Sequence, residues 1–448
     1  MRSIAGNTRP FVALAGAVLL LGIADSMAGA YLVLFASRHA GLTPVQIGLF
    51  TAAPAAGGIV VATLIARRFD RRPTRGYAIG AATLGALGLT LLTTTRSAPL
   101  LIVIAAFLLG AHQAVFPQLF ALARVVTSNE RTTPLLRSFW SLAWALGPLA
   151  GAVMLGHLGF PGLLRASAVV LALAALTTAA VPAPRPTQPQ AALAARPDRP
   201  CAGAAGRAMP AASPPGGEQP APHRDRPPGA GLWIRLRTFT ISRYGSRPPT
   251  GEGVGVAATT GVILFFLAMF AGSIALPLYV TAGLHQPDST VGLLFSACAA
   301  VEIIVALGLA VLPDRVNQRL LIAAAMMALA VFYGISLLAD DLTLLLAGQV
   351  ARGIAIAVVS AAGIRYFQDL MRPATARATT LFANATAAGS LLAGALAGPA
   401  IQHWGQVTTL VLCGGAAMLG GGVFCIRQRN RSATRQDARP VTVGDQAP

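Results

Sequence analysis

The chain of 448 residues has no lysine, four cysteines, six histidines and only 15 acidic residues against 34 arginines. Without lysine there is no Walker A loop, whose lysine reaches nucleotide phosphates, and no amine for a pyridoxal or retinal Schiff base. Cys298, Cys413 and Cys425 lie in apolar runs and Cys201 in a proline-rich stretch. They follow no CxxC or other metal-ligand spacing, so they read as small hydrophobes and one loop thiol, and no metal or cofactor is expected. Charged residues make up 11% of the chain, where a soluble domain carries roughly a quarter. A soluble globular fold is therefore excluded.

What fills the chain instead is apolar: 55% of residues are hydrophobic and the mean hydropathy is +0.65. A helix needs about 20 apolar residues to cross the hydrocarbon core. Runs of that length fall at 10–36, 45–66, 76–94, 99–123, 137–157, 162–182, 257–281, 289–312, 319–338, 342–368, 376–400 and 406–426. The expected fold is an all-α integral membrane protein of twelve transmembrane helices in two pseudo-symmetric six-helix halves. The first run, with Arg2 and Arg9 before it and Ala28-Gly29-Ala30 near its end, imitates a signal peptide. Its apolar part is too long for one, and it reads as a retained helix.

A net charge of +19 would suggest nucleic acid in a soluble protein. Its distribution says otherwise. Thirty arginines fall in the termini, the central insert and the loops on their side, while only Arg38 and Arg96 lie in the opposite loops. Such a positive-inside bias places both termini and the insert in the cytoplasm of a cell inner membrane or plasma membrane. No nucleic-acid partner is expected.

The organisation expected is a six-helix bundle over 1–182, a Pro/Arg-rich linker over 183–252, a second bundle over 253–426 and a cytoplasmic tail over 427–448. Between Pro182 and Pro249 lie 15 of the 31 prolines, a composition unable to bury enough apolar surface to offset ordering entropy, so this linker is expected to be disordered. Within it Leu232, Trp233, Ile234, Leu236 and Phe239 alternate with Arg235, Arg237 and Arg243. That stretch is either an ordinary basic linker end or an interfacial segment on the anionic leaflet.

The halves carry an internal repeat. Residues 66–75 and 310–319 both read A-x-x-x-D-R-x-x-x-R, and Gly48-Leu49 and Gly292-Leu293 each precede the aspartate by 22 residues. An aspartate at a helix end can meet a neighbouring helix N-terminus, and arginines can pair with carboxylates or lipid phosphates. Asp70, Arg71, Arg75, Asp314, Arg315 and Arg319 are therefore candidates for a cytoplasmic gate, the alternative being topology determinants on a tight turn. Gln368 and Asp369, with Arg365 one helical turn away, join them as gating or structural residues.

The repeated D-R-x-x-x-R loop resembles the signature of the major facilitator superfamily, with Ala66 and Pro73 where that motif usually has glycine. Gly48-Leu49-Phe50, the run Pro117 to Arg124, Ser141-Leu142-Ala143-Trp144 with Gly147-Pro148, Phe367 to Met371, and Ala378 to Phe382 with Asn384 are similar to the bacterial sugar efflux transporters of that superfamily. The similarity spans nearly all the helices and omits the insert. It implies export of sugars or glycosides driven by a proton gradient, with the lipid bilayer, protons and a small solute as partners. Gly147-Pro148 further resembles the fifth-helix motif of proton-driven exporters. A multidrug exporter of the same fold is the alternative. A membrane enzyme would need a cluster of His, Asp or Cys that the six scattered histidines do not provide, and a non-transporting sensor would use the insert to recruit a partner.

A charge at mid-membrane costs about 3 kcal/mol, so each one asks for a reason. Asp25 lies in the first span without an arginine within a helical turn, either as a proton carrier or as a structural carboxylate. Glu302 and Arg352 lie about 13 and 10 residues from the outer ends of the eighth and tenth spans, near the midplane. An ion pair between them is the simplest expectation, and Asp25, Glu302 and Arg352 form the expected proton-coupling set. Gln113, Gln118, Gln349 and Asn384 are candidates to bind sugar hydroxyls, with Trp144, beside Trp140 and Phe139, as an aromatic platform. Interhelical bonding for the amides and lipid or core packing for the aromatics are the bland alternatives. His112 reads as a satisfied polar residue rather than a proton relay.

Overall fold

A computed structural model describes residues 8–71, 74–127, 132–182, 252–310, 316–371 and 375–426. All regular structure among them is helical. The expected disordered linker, its interfacial stretch and the tail lie outside the described residues.

Each of the twelve predicted segments, over its described residues, falls mainly on helix. Nine helices among the described residues are long and apolar enough to cross a membrane, and Gly76–Leu92 is a shorter apolar one. Two of the nine are bent rods. Thr132–Ala179 breaks at Gly159 and Thr375–Ile426 at Gly405, with φ of 64° and 80°. Only glycine enters that left-handed region without a steric penalty, so one residue kinks the chain between two helical segments. Outward-facing apolar side chains such as Phe107, Ile304, Leu176 and Leu338, all more than 65% exposed, form the kind of surface that a bilayer covers and water does not.

The 244-residue register of the repeat extends into fine structure. The first helix, Thr8–Gly29, resumes after a break and ends on a π turn at Phe35–His39, and Glu252–Leu278 ends on a π turn at Tyr279–Gly283. The N–H of Ala40 donates to Phe35 O at 2.9 Å and that of Leu284 to Tyr279 O at 3.0 Å. One residue in the left-handed region follows each turn, Gly41 in the first half and His285 in the second. The fourth predicted span is less regular than expected, since it crosses a π turn at Ala105–Leu109 and a break before Val115–Val126.

Small residues set the helix spacing. Gly57 lies so close to the neighbouring segment that an added Cβ would overlap the carbonyl oxygen of Ala106, and a Cβ added to Gly110 would in turn come within 3.0 Å of Gly57 Cα. Backbone cannot withdraw as a flexible side chain can. Gly57→Ala is therefore expected to cost about 1–3 kcal/mol by overpacking. A lower midpoint in a thermal melt of the purified protein checks this, and an unchanged midpoint contradicts it.

The halves meet along two related contacts, Pro44–Arg71 against Thr375–Ile426 and Ser289–Ala310 against Thr132–Ala179. Gly48 abuts Gly394 and Gly398, while Gly292, its equivalent in the repeat, abuts Tyr31 and Pro148. At the same end of the bundle the first π turn is tied to the second and to the loop after it, by Arg38 Nη1 to Asp288 Oδ1 at 2.6 Å and by Arg38 Nη2 donating to Thr281 O at 3.4 Å.

Candidate functional site

Two adjoining cavities, of about 620 and 360 Å³, lie between the halves, and Gly29, Trp140, Trp144 and Phe270 line both. The three aromatic rings therefore form a septum. The larger cavity takes Asp25, His112 and Gln113 from the first half, and Thr386 and Ser390 from the second. The smaller takes Ser273, Phe295, Glu302 and Arg352 from the second half.

Asp25 is positioned by close packing of the first helix on Thr132–Ala179. A Cβ on Gly22 would meet Ala143 Cβ at 2.6 Å and the Trp140 ring at 3.2 Å. Ser26, fully buried, donates to Gly22 O at 2.7 Å and Ala143 O at 3.0 Å. The adjacent carboxylate is thus turned to the cavity, where His112 Nε2 lies 2.9 Å from Asp25 Oδ1. The imidazole is buried, with Gly85 against its face and its Nδ1 without a hydrogen-bond partner. One ring nitrogen of His112 thus meets a carboxylate while the other has no hydrogen-bond partner among the described residues.

Arg352, on Leu342–Leu370, is 3% exposed. Its guanidinium lies over the Phe295 ring at 4.8 Å and the Phe332 ring at 5.5 Å, an arrangement that stabilises a buried cation. Nη2 donates to Ser273 Oγ at 2.8 Å and Nη1 to Gln349 Oε1 at 3.5 Å. Here the structure departs from expectation. Glu302 and Arg352 share the smaller cavity, yet they do not come within ion-pair distance of each other. Equal depth fixes position along two helices but not the direction in which each side chain points, and Ser273 and the phenylalanines hold the guanidinium.

The other expected substrate residues separate. Gln113 and Trp144 line the larger cavity. Gln118 is buried with its Oε1 unpartnered and lines neither cavity, and Gln349 is fully buried, donating to Leu345 O at 3.5 Å. Asn384 is exposed beside the cavity-lining Ala383, and is not itself in the wall. Sequence reasoning passed over His112 as the partner of Asp25, and Ser273, Phe270 and Phe295 as wall residues. His112 was visible as an intramembrane polar residue, but nothing in the sequence joins it to a carboxylate 87 positions away.

At the signature loops the structure assigns a capping role to two arginines. Arg75 donates through Nη1 to Val181 O, and Arg319 through Nε to Phe424 O at 2.6 Å, each at the far end of its half. Cations suit the carbonyl-rich ends of helices. Gln368 Nε2 donates to Thr379 Oγ1 at 3.0 Å, tying two neighbouring helices, and Asp369 is exposed. The side chains of Asp70 and Arg71, and all of Asp314 and Arg315, lie outside the described residues.

The profile of the Major Facilitator Superfamily matches residues 14–242 and 258–443. Among sequence relatives, a Deinococcus radiodurans protein named as a sugar efflux transporter is 33% identical, the alignment covering 91% of this chain and 95% of the relative. Sugar efflux transporter A of Dickeya chrysanthemi is 30% identical, with 91% and 92% covered. The crystal structure of nucleoside transporter NupG has a TM-score of 0.69 at 12% identity, covering 93% of this chain and 98% of that one. A POT family transporter in complex with 5-aminolevulinic acid gives 0.67 at 13%, with 94% and 96% covered. At such identities these structures establish the shared fold. The chain belongs to the major facilitator superfamily, in its bacterial sugar efflux transporter family, and is a multi-pass membrane transporter rather than an enzyme.

Proposed function

We propose that this transporter exports sugars or glycosides in exchange for protons, by rocking its two six-helix halves about the central cavities. The observation that carries this reading is the Asp25–His112 pair opening onto a cavity that also holds Gln113 and the Trp140, Trp144 and Phe270 rings. Aromatic faces pack on sugar rings, and amide and carboxylate groups bond their hydroxyls, so one cavity can bind solute and proton at the same place. A proton on the pair alters its hydrogen bonding, and a substrate hydroxyl competes for the same carboxylate. Loading one therefore disfavours the other, which is what exchange requires.

The arginine distribution supports cytoplasmic termini and an inner or plasma membrane location, with a linker over 183–252 joining the halves. In that orientation the Arg38–Asp288 end is the outer face, and its glycine contacts and ion pair favour an inward-facing arrangement. Glu302, on the far side of the septum, adds a second acceptor for substrate hydroxyls.

A stabilisation screen tests the substrate class. Alkyl and aryl galactosides are expected to raise the melting midpoint of the purified protein, and Trp144→Ala to abolish that rise. Stabilisation by lipophilic cationic drugs and by no sugar would favour the multidrug alternative.

A further inference from the structure

The smaller cavity holds a charge that proton exchange at Asp25 leaves unused. Arg352 is 97% removed from solvent, and both of its hydrogen-bond partners, Ser273 and Gln349, are neutral. Among the described residues no carboxylate lies within 4.0 Å of it. A guanidinium stays charged at any pH a cell meets, and Glu302, the carboxyl of the same cavity, stands beyond ion-pair distance, so the donors of Arg352 that face the cavity can take an anion. The guanidinium has five donors in a planar fork, and the contacts above engage two of its nitrogens through single bonds.

We propose that Arg352, with Ser273 holding its guanidinium, is a carboxylate-binding subsite, and that the solutes carried include sugar acids such as hexuronates. This rests on the sugar export reading and narrows it. A neutral sugar would leave Arg352 unpaired, whereas a hexuronate brings a planar monoanion that the fork can hold and hydroxyls for the remaining wall. Glu302 lines the same cavity and accepts such hydroxyls. With that one carboxyl beside one arginine, a single negative charge on the ligand suits the site better than a phosphate dianion. Trp144 and Phe270, at the septum, offer faces for the ring.

The test uses the full-length protein in nanodiscs and four probes built on one ring: D-galacturonate, its methyl ester, D-galactose and galactose 6-phosphate. Titration calorimetry is expected to show galacturonate binding at least about tenfold tighter than the ester, the scale of one charge-assisted pair. Arg352→Gln is expected to bring galacturonate down to the affinity of the ester, and Ser273→Ala to cut the preference to about threefold as the guanidinium loses its anchor. Should Arg352→Gln fail to fold, the ester comparison and Ser273→Ala decide. Equal affinity for acid and ester, a preference that survives Arg352→Gln, a preference undiminished in Ser273→Ala, or tighter binding of galactose 6-phosphate than of galacturonate overturns the subsite. Binding of neutral galactosides without preference for the acid overturns the subsite alone, and no binding of any sugar overturns the export reading beneath it.

Discussion

Asp25→Asn is expected to reduce gradient-driven export to the level of protein-free liposomes while leaving exchange of labelled for unlabelled sugar in place. The carboxylate faces the larger cavity and meets His112 Nε2 at 2.9 Å. An amide fills the same volume and can still bond a sugar hydroxyl or the imidazole, but it cannot take up and release a proton. Binding and rocking are retained and only the link to the gradient is cut. His112→Ala keeps the carboxylate and removes its partner. A hydrogen bond to a charged group is worth about 1.5–3 kcal/mol, which corresponds to a loss of about ten- to hundredfold in coupled rate. Export by Asp25→Asn at the wild-type rate, with the gradient still required, would place the proton elsewhere.

Gly292→Ala is expected to push the closed end of the bundle open. Its new methyl would overlap the Tyr31 hydroxyl and lie 2.5 Å from Pro148 O. Tyr31 is fully buried and donates to that same carbonyl at 3.1 Å, and Pro148 O belongs to a helix backbone, so neither can move aside cheaply. Overpacking of this kind costs about 1–3 kcal/mol, which shifts a two-state population by about five- to 150-fold. Spin labels at Gly41 and His285, in the loops beside the Arg38–Asp288 pair, read the change as a new long-distance population. Adding Tyr31→Phe removes one of the two clashes and is expected to restore part of the closed state. An unaltered distance distribution in Gly292→Ala would mean that the contact does not hold the halves together.

Much of the fold is written in local sequence, because span length and arginine placement are one-dimensional properties. The 22-residue spacing from Gly48 to Asp70 and from Gly292 to Asp314 announced a duplication whose register recurs in the π turns at Phe35–His39 and Tyr279–Gly283. The site was legible only in part. Sequence gives the depth of a residue in the membrane but not its direction around the helix. Glu302 and Arg352 were therefore expected to pair, while packing turns Arg352 to Ser273 and two phenylalanines. Gln118 and Gln349 were expected in the cavity for the same reason, and both are buried among helices. The Asp25–His112 pair joins helices far apart in the chain, so only the packed structure brings it together. The arginines of the signature loop show a subtler gap: their spacing marked a gate, whereas Arg75 and Arg319 hold helix-end carbonyls in both halves alike.

Proton-coupled sugar export is tested most directly in proteoliposomes of the wild-type protein given a labelled alkyl galactoside on both sides and an imposed pH gradient. The expected result is movement of the galactoside against its own gradient, opposite to the proton flux, collapsing on addition of a protonophore. Equal distribution of the galactoside with the gradient in place, in vesicles that still exchange labelled for unlabelled sugar, would contradict it.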